Sequence, residues 1–266
     1  MDVEYAGLYK PLFCALPDRI KNQLGSAVPL IELPRGVSAQ SFDKHAQIYF
    51  PVSCVFSISA YVPNLPHVFM KFAGSGLMIG LSSLFGTDVI YESRVIGRGY
   101  AYKMSESHLL STLDTEERLG SLKYHSVLTV VELAMISAAC GTTHTTSQRL
   151  ARTLLEASDA FGRDQPITLT QAELARLLSV TRESVVGLLK QWSRAGTLTH
   201  RRGQISVDDR SRLLDLSCQC YESVQKLEAR ALQRWKEVKW AEVSRSFLTK
   251  SPANGFTWPM PPRRST

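Results

Sequence analysis

The sequence predicts an α+β chain in three successive parts: a barrel of short strands, one long helix, and a compact helical module closed by a hairpin. Three observations predict it. From Val28 to about Met104, short β-branched and aromatic runs alternate with Gly, Pro, Asn and Ser. From Thr115 to Cys140, apolar and small residues fall at steps of three and four. From Leu169 to Val207, two short amphipathic helices, each with a capping residue at its start, precede two alternating runs around a basic turn.

Residues 10–26 read as a short helical segment. The strand runs that follow are Gln47–Phe50, Val52–Ser59, His67–Phe72 and Val95–Met104. Strands this short and evenly spaced predict an N-terminal jelly-roll β-barrel. The long central helix carries Leu119, Leu122, Ser126, Val130, Leu133, Ser137 and Cys140 in one narrow stripe. Small residues in such a stripe permit close approach, so it is expected to be a dimerisation seam; packing on the chain's own barrel is the alternative. Gly141 to Thr146 holds no strong helix former and reads as a hinge. Ser147 then opens a helix to about Phe161.

In Leu169–Leu189, Thr170 caps a first helix, with Glu173 placed three residues on to complete a capping box. Leu174, Leu177 and Leu178 supply its apolar stripe. Ser179 and Val180 make the break, Thr181 caps the second helix, and Val185, Leu188 and Leu189 face inward. Arg182, Glu183 and Ser184 are thereby left pointing outward from the first turn, where a helix-turn-helix offers side chains to the DNA major groove. Trp192 and Leu198 read as core, Gly196 as a helix stop. Leu198–Val207 then reads as two short strands around a basic Arg201-Arg202-Gly203-Gln204 turn, with Arg201 and Arg202 at its tip, so the module is a winged helix-turn-helix. An ordinary helical hairpin would show the same spacing without the charge pattern below.

Asp208-Asp209 opens a further helical segment running to about Trp240, and the Pro-rich stretch Ser251–Thr266 is expected to be disordered. The expected domains are therefore 1–114, a sensor-like β-roll; 115–146, the central helix and hinge; 147–215, the winged helix-turn-helix; 216–250, a helical extension; and 251–266, the tail.

The chain of 266 residues carries a formal net charge of +7, unevenly spread. Residues 1–147 hold 11 Lys/Arg against 12 Asp/Glu, 148–202 hold 9 against 5, and 203–266 hold 11 against 7. The surplus lies on the helix-turn-helix and behind it, as phosphate neutralisation requires. Arg can bond two acceptors on guanine and Glu can accept from the cytosine amino group, so Arg182-Glu183 suits a G·C-containing site. A dipole-favoured Glu beside a solvated Arg is the bland reading of the same pair.

No secretion signal is expected, because Asp2 and Glu4 stand at the start without an apolar run. The longest stretch without charged residues, His45–Met70, holds Pro51, Pro63 and Pro66 and is a poor membrane helix. The five cysteines, Cys14, Cys54, Cys140, Cys218 and Cys220, fit reduced thiols in the cytoplasm. Cys218-x-Cys220 falls in a helical pattern where i and i+2 do not share a face, so no metal is expected there. The six histidines are scattered without a His-x-His pair, which speaks against a cupin-like metal enzyme.

With the roll, long helix and winged helix in this order, the sequence resembles the bacterial Crp/Fnr family of transcription regulators over about residues 10–215. The similarity is strongest in LTQAELARLLSVTRESVVGLLKQWSRAGTL and the hairpin followed by Asp208-Asp209-Arg210, and weaker in Ile48–Pro51 and Gly74–Leu81. The resemblance implies base reading by Arg182, Glu183 and Ser184. It implies DNA-backbone contacts at Thr170, Gln171 and Thr181, with Lys190, Arg201 and Arg202 beside them. The third reading position is Gly187. Where cyclic-nucleotide binders of the family place a Glu, this chain has Leu81 or Ser82. Their later Arg-Ser/Thr segment reads Tyr91-Glu92-Ser93-Arg94-Val95, although Arg94 remains able to meet a phosphate. Only Cys14 stands where iron–sulfur relatives carry a cysteine cluster, and His45 and His67 are lone histidines. No cofactor is expected, cyclic nucleotide included, and no effector residue can be named.

The expected function is a cytoplasmic, homodimeric regulator that reads a near-palindromic site on double-stranded DNA, with RNA polymerase as a further partner, and not an enzyme. The alternative is a helix-turn-helix that docks another protein.

Overall fold

The computed structural model describes residues 28–39, 47–60, 68–75, 77–80, 91–105 and 118–237. The expected helix at 10–26 and the tail 251–266 lie outside them. Within them the chain is α+β in the expected order: six strands of a roll, a long helix, and a winged helix-turn-helix followed by a further helix.

The roll is two three-stranded antiparallel sheets. In one, β1 (Leu30–Leu33) and β2 (Gln47–Pro51) flank β6 (Gly99–Ser105); in the other, β4 (Val68–Ala73) and β5 (Tyr91–Gly97) flank β3 (Val55–Ala60). Alternation sends Leu33, Tyr49, Phe56, Val95 and Ala101 into a shared core, where the Tyr49 and Phe56 rings stand 6.3 Å apart. The run Val95–Met104 is two strands rather than one, because Arg98 interrupts it and the chain passes there from one sheet to the other.

Helix α1 spans Arg118–Thr143 and α2 spans Thr146–Phe161. The expected hinge is shorter than Gly141–Thr146. The helix runs through Gly141 to Thr143, and the Thr142 and Thr143 hydroxyls donate back to the carbonyls of Ala138 and Ala139. The break is confined to His144 and Thr145, and Thr145 forms a capping box with Gln148.

The roll and the helix-turn-helix share one core. Val55, Phe72 and Ile96 of the roll pack with Leu150, Leu154 and Leu155 of α2 and with Leu174, Leu178, Val185, Leu189 and Trp192 beyond it. At Gly97 an added Cβ would stand 2.8 Å from Phe161 Cε1, so glycine there lets the end of α2 reach the roll.

The segment after the wing is two helices, not one: α5 (Arg210–Leu216) and α6 (Cys220–Glu237). Here α3 denotes Gln171–Leu178 and α4 denotes Arg182–Arg194. Ser217 is extended (φ −82°, ψ 169°) and ends α5. Helix α6 then lies along α1. Its Val224 and Leu227 bury Leu133, Glu228 pairs with the buried Lys71 of β4, and Tyr221 and Gln225 donate to Asp159 of α2 at 2.5 and 3.3 Å. Arg210 joins Asp159 at 2.8 Å.

This packing corrects the expected dimer stripe. Leu133 is 3% exposed because α6 covers it, and Ser137 Oγ donates to the Met70 carbonyl at 2.9 Å. Val130 is half-buried, and the side chains of Leu119, Leu122 and Ser126 lie outside the described residues. The apolar face that α1 leaves open is Tyr124, Val127, Val131 and Met135, at 62%, 36%, 47% and 67% exposure. The steps of three and four were read correctly, but the phase of the stripe depends on α6, which only the fold reveals.

Candidate nucleic-acid interface

Helix α3 starts as its sequence requires. The Glu173 amide donates to Thr170 Oγ1 at 3.2 Å, while the Thr170 amide and hydroxyl both donate to Glu173 Oε2 at 2.8 Å. Arg35, in the turn after β1, donates to both Glu173 carboxylate oxygens at 2.6 Å. Partial burial works against this carboxylate, but the bonds from Arg35 and Thr170 outweigh it and hold its pKa below the ordinary range. The donors of Thr170 are thus spent on the cap. The amides of Gln171 and Ala172, which have no intrahelical acceptor, are what this helix start offers to an anion.

Ser179 makes the break between the helices in the left-handed region (φ 53°), and the Val180 amide returns to the Ala175 carbonyl at 3.0 Å. Arg149 of α2 donates to the Leu178 carbonyl at 2.6 Å, closing the end of α3 with a positive charge. Thr181 caps α4 by accepting from the Ser184 amide at 3.3 Å. Val185 and Leu189 are fully buried, which fixes the roll of α4 about its axis and turns Arg182 and Glu183 outward, both exposed. Ser184 is exposed too, but its hydroxyl lies 2.9 Å from Thr181 Oγ1, so it braces the cap.

The wing is the hairpin of β7 (Leu198–Arg201) and β8 (Gln204–Val207). Arg202 (φ 46°) and Gly203 (φ 81°) both take positive φ, the two-residue turn whose twist matches the strands. That turn carries Arg201 and Arg202 toward the helix starts. A groove of about 330 Å³ is lined by Thr170, Gln171, Arg182, His200, Arg201 and Arg202. The expected contacts at the start of α3, the start of α4 and the wing tip therefore meet on one surface.

Lys190 lies further along α4, beside Gly187, Gln191 and Arg194 in a second, shallower hollow. Gln191 and Arg194 were not among the expected contacts. Their signal was available, since 187, 190, 191 and 194 share one helix face. A Cβ at Gly187 would meet nothing within 4 Å, so no steric demand keeps glycine there.

On the roll, Arg94 donates to Glu92 Oε1 at 2.5 Å and to the Gly36 carbonyl at 3.0 Å. Its charge is thus matched within its own strand. Leu81 and Ser82 lie outside the described residues. No described helix is long and apolar enough to cross a membrane.

Residues 148–216 match the Crp-like helix-turn-helix domain family. No curated protein matches the chain. Among solved structures, the chain is similar to FixK2 from Bradyrhizobium japonicum, with 18% identity and a TM-score of 0.60 over 72% of this chain and 98% of that one. It is also similar to a transcriptional regulator of the crp/fnr family from Eubacterium rectale, with 16% identity and a TM-score of 0.59 over 78% and 98%. A third is CLP, the c-di-GMP responsive global regulator of Xanthomonas campestris, with 18% identity and a TM-score of 0.54 over 72% and 99%. At these identities the likeness is one of fold. Residues 148–216 are a Crp-like helix-turn-helix domain, carried in a chain with the fold of the Crp/Fnr regulators.

Proposed function

We propose that the chain is a cytoplasmic transcription regulator that binds double-stranded DNA as a homodimer on a near-palindromic site. The observation that carries this reading is the convergence of Gln171, Arg182, Arg201 and Arg202 around one groove, with Glu183 exposed beside it. Arg182 and Glu183 enter the major groove and read base edges. Gln171, Thr181, Lys190, Arg201 and Arg202 lie against phosphates, and Ser184 and Thr170 hold the two helix starts in shape. RNA polymerase is the further partner such a regulator would contact.

The second copy docks on the open face of α1. Tyr124, Val127, Val131 and Met135 form a continuous apolar stripe on a helix whose opposite face is already covered by α6. Two recognition helices related by that contact would reach successive major grooves, about 34 Å apart. The roll does not take a cyclic nucleotide in this reading, because Arg94 is held by Glu92 and Gly36.

Selection of bound sites from random duplex DNA tests the proposal. The expected product is a two-fold-related site with G·C pairs in each half, bound with strong salt dependence. Salt-independent or sequence-blind binding would overturn base reading and favour the protein-docking alternative.

A further inference from the structure

We propose that Cys140, His144, Cys218 and Cys220 form a four-ligand zinc site at the joint between α1, α2 and α6. The thiol sulfurs and one imidazole nitrogen all lie within 4.8 Å of one another. Cys140 Sγ is 3.6 Å from Cys218 Sγ, and Cys220 Sγ is 3.6 Å from His144 Nδ1. A tetrahedron with Zn–S near 2.3 Å and Zn–N near 2.0 Å has edges of roughly 3.4–3.8 Å. The two 3.6 Å pairs already match such edges, and the other separations, all within 4.8 Å, need close by only about 1 Å at most around one ion. They are too small for the outer thiolates of an iron–sulfur cluster, which stand apart across several irons and sulfides.

The sequence argued against this site because residues two apart on a helix point to different faces. The structure removes that objection: Cys218 lies in the non-helical link after Ser217, and only Cys220 is in α6. Cys140 and His144, four apart, come from the last turn of α1 and the break after it, on one side. The four ligands thus join three segments, with Cys140 and Cys218 78 positions apart in sequence.

The surroundings fit a bound cation with thiolate ligands. Cys140 and Cys218 are 2% and 4% exposed, while His144 and Cys220 are half-buried and give an ion access from solvent. The buried Arg152, paired with Glu156 at 2.7 Å, also acts on Cys140. On binding, the three thiols release their protons and the neutral imidazole coordinates through Nδ1. A divalent ion with three thiolates leaves one net negative charge, which Arg152 faces. Four protein ligands close the shell, so the ion would be structural: it would staple the end of α1 to α6 and fix the joint that carries the DNA-binding domain. The site does not depend on the DNA-reading proposal.

The test is metal analysis of the purified full-length chain after gel filtration. About one zinc per chain is expected in the wild type and in Cys54→Ser, whose thiol sits in the roll, and less than a tenth in Cys218→Ser and His144→Ala. Replacement of zinc by cobalt(II) should give the intense visible bands and thiolate charge transfer of a tetrahedral N/S site. That spectrum decides the matter on the wild-type chain alone if the variants do not fold. Wild-type protein without zinc whose thiols all react freely would overturn the site. So would a Cys140–Cys218 disulfide in unreduced peptides, or iron with acid-labile sulfide in place of zinc.

Discussion

The groove facing DNA and the joint behind it are built in opposite ways. Every side chain of the groove comes from residues 169–205, and its polar ones project outward because neighbours in sequence are capped or buried. The joint gathers Lys71 from the roll, Cys140 and His144 from the end of α1, Arg152 and Glu156 from α2, and Cys218, Cys220 and Glu228 from the last third of the chain. A surface made of local parts can change a side chain without disturbing the fold. A junction made of remote parts is coupled to stability, to ion binding and to pH.

The two faces of α1 give the sharpest contrast and the largest expected effect. Val131 is 47% exposed and Leu133 is buried under Val224 and Leu227. Val131→Asp should leave the monomer folded while placing an unpaired charge in the dimer seam, lowering affinity for a two-fold DNA site on the order of 100-fold or more. Leu133→Asp should unfold the α1–α6 contact itself. Sedimentation and circular dichroism on the two variants separate these outcomes; a dimer that survives Val131→Asp would place the seam elsewhere.

The second effect belongs to the joint. Lys71 is almost fully buried; desolvation lowers its pKa from 10.5 to about 8, against the pull of Glu156 and with the push of Arg152, while its ammonium pairs with Glu228. Between pH 8 and 10.5 the unfolded chain holds the proton that the folded chain has lost, so this residue makes stability rise with pH across that window. The full change is on the order of 3 kcal/mol. Cys54, raised to about 12 by burial, works in the opposite sense over part of the range. The difference between wild type and Lys71→Met in urea unfolding at pH 7.5 to 10.5, about three pH units, isolates the lysine. Equal slopes for the two proteins would mean that the pairing with Glu228 offsets the burial and keeps the ammonium charged.

What the sequence made legible follows the same division. The cap at Thr170, the break at Ser179, the buried Val185 and Leu189 and a turn between Arg201 and Gln204 were all readable, because helix caps, steps of three and four and basic Gly-containing turns are local signals; the turn proved tighter, two residues, than the four read. The phase of the α1 stripe was not, because α6 lies 90 or so residues further on and nothing near Leu133 announces it. Cys218 was misplaced for a related reason. The apolar spacing continues across Ser217–Gln219, and only the extended backbone at Ser217 shows that the helix stops. Gln191 and Arg194 were legible in principle, since they share the face of Gly187, but no motif singled them out.

Within the groove, the proposed division between reading and positioning predicts unequal consequences of two arginine changes. Arg182→Ala should cost about 1–3 kcal/mol on the selected site and much less on random DNA. Arg202→Ala should weaken both alike and reduce the salt slope by about one. Neither side chain is paired among the described hydrogen bonds and ion pairs, so thermal stability should be unchanged in both. Titrations of the two variants on selected and random duplexes at several salt concentrations make the comparison. An equal loss for Arg182→Ala on both DNAs would reduce it to another phosphate contact.

The smallest effect concerns Gly187, the one point where the reading face has no side chain. Glycine inside a helix costs roughly 0.5–1 kcal/mol relative to alanine, and a Cβ here meets nothing within 4 Å. Gly187→Ala should therefore stabilise the fold by about that amount. If the hollow beside Lys190, Gln191 and Arg194 lies over a base pair without touching it, the methyl group should leave DNA affinity unchanged. If the DNA backbone or a thymine methyl fills the hollow, the same methyl should collide with it and lower affinity while stability still rises. Denaturation and DNA titration of one variant therefore distinguish a vacant reading position from a glycine kept for close approach.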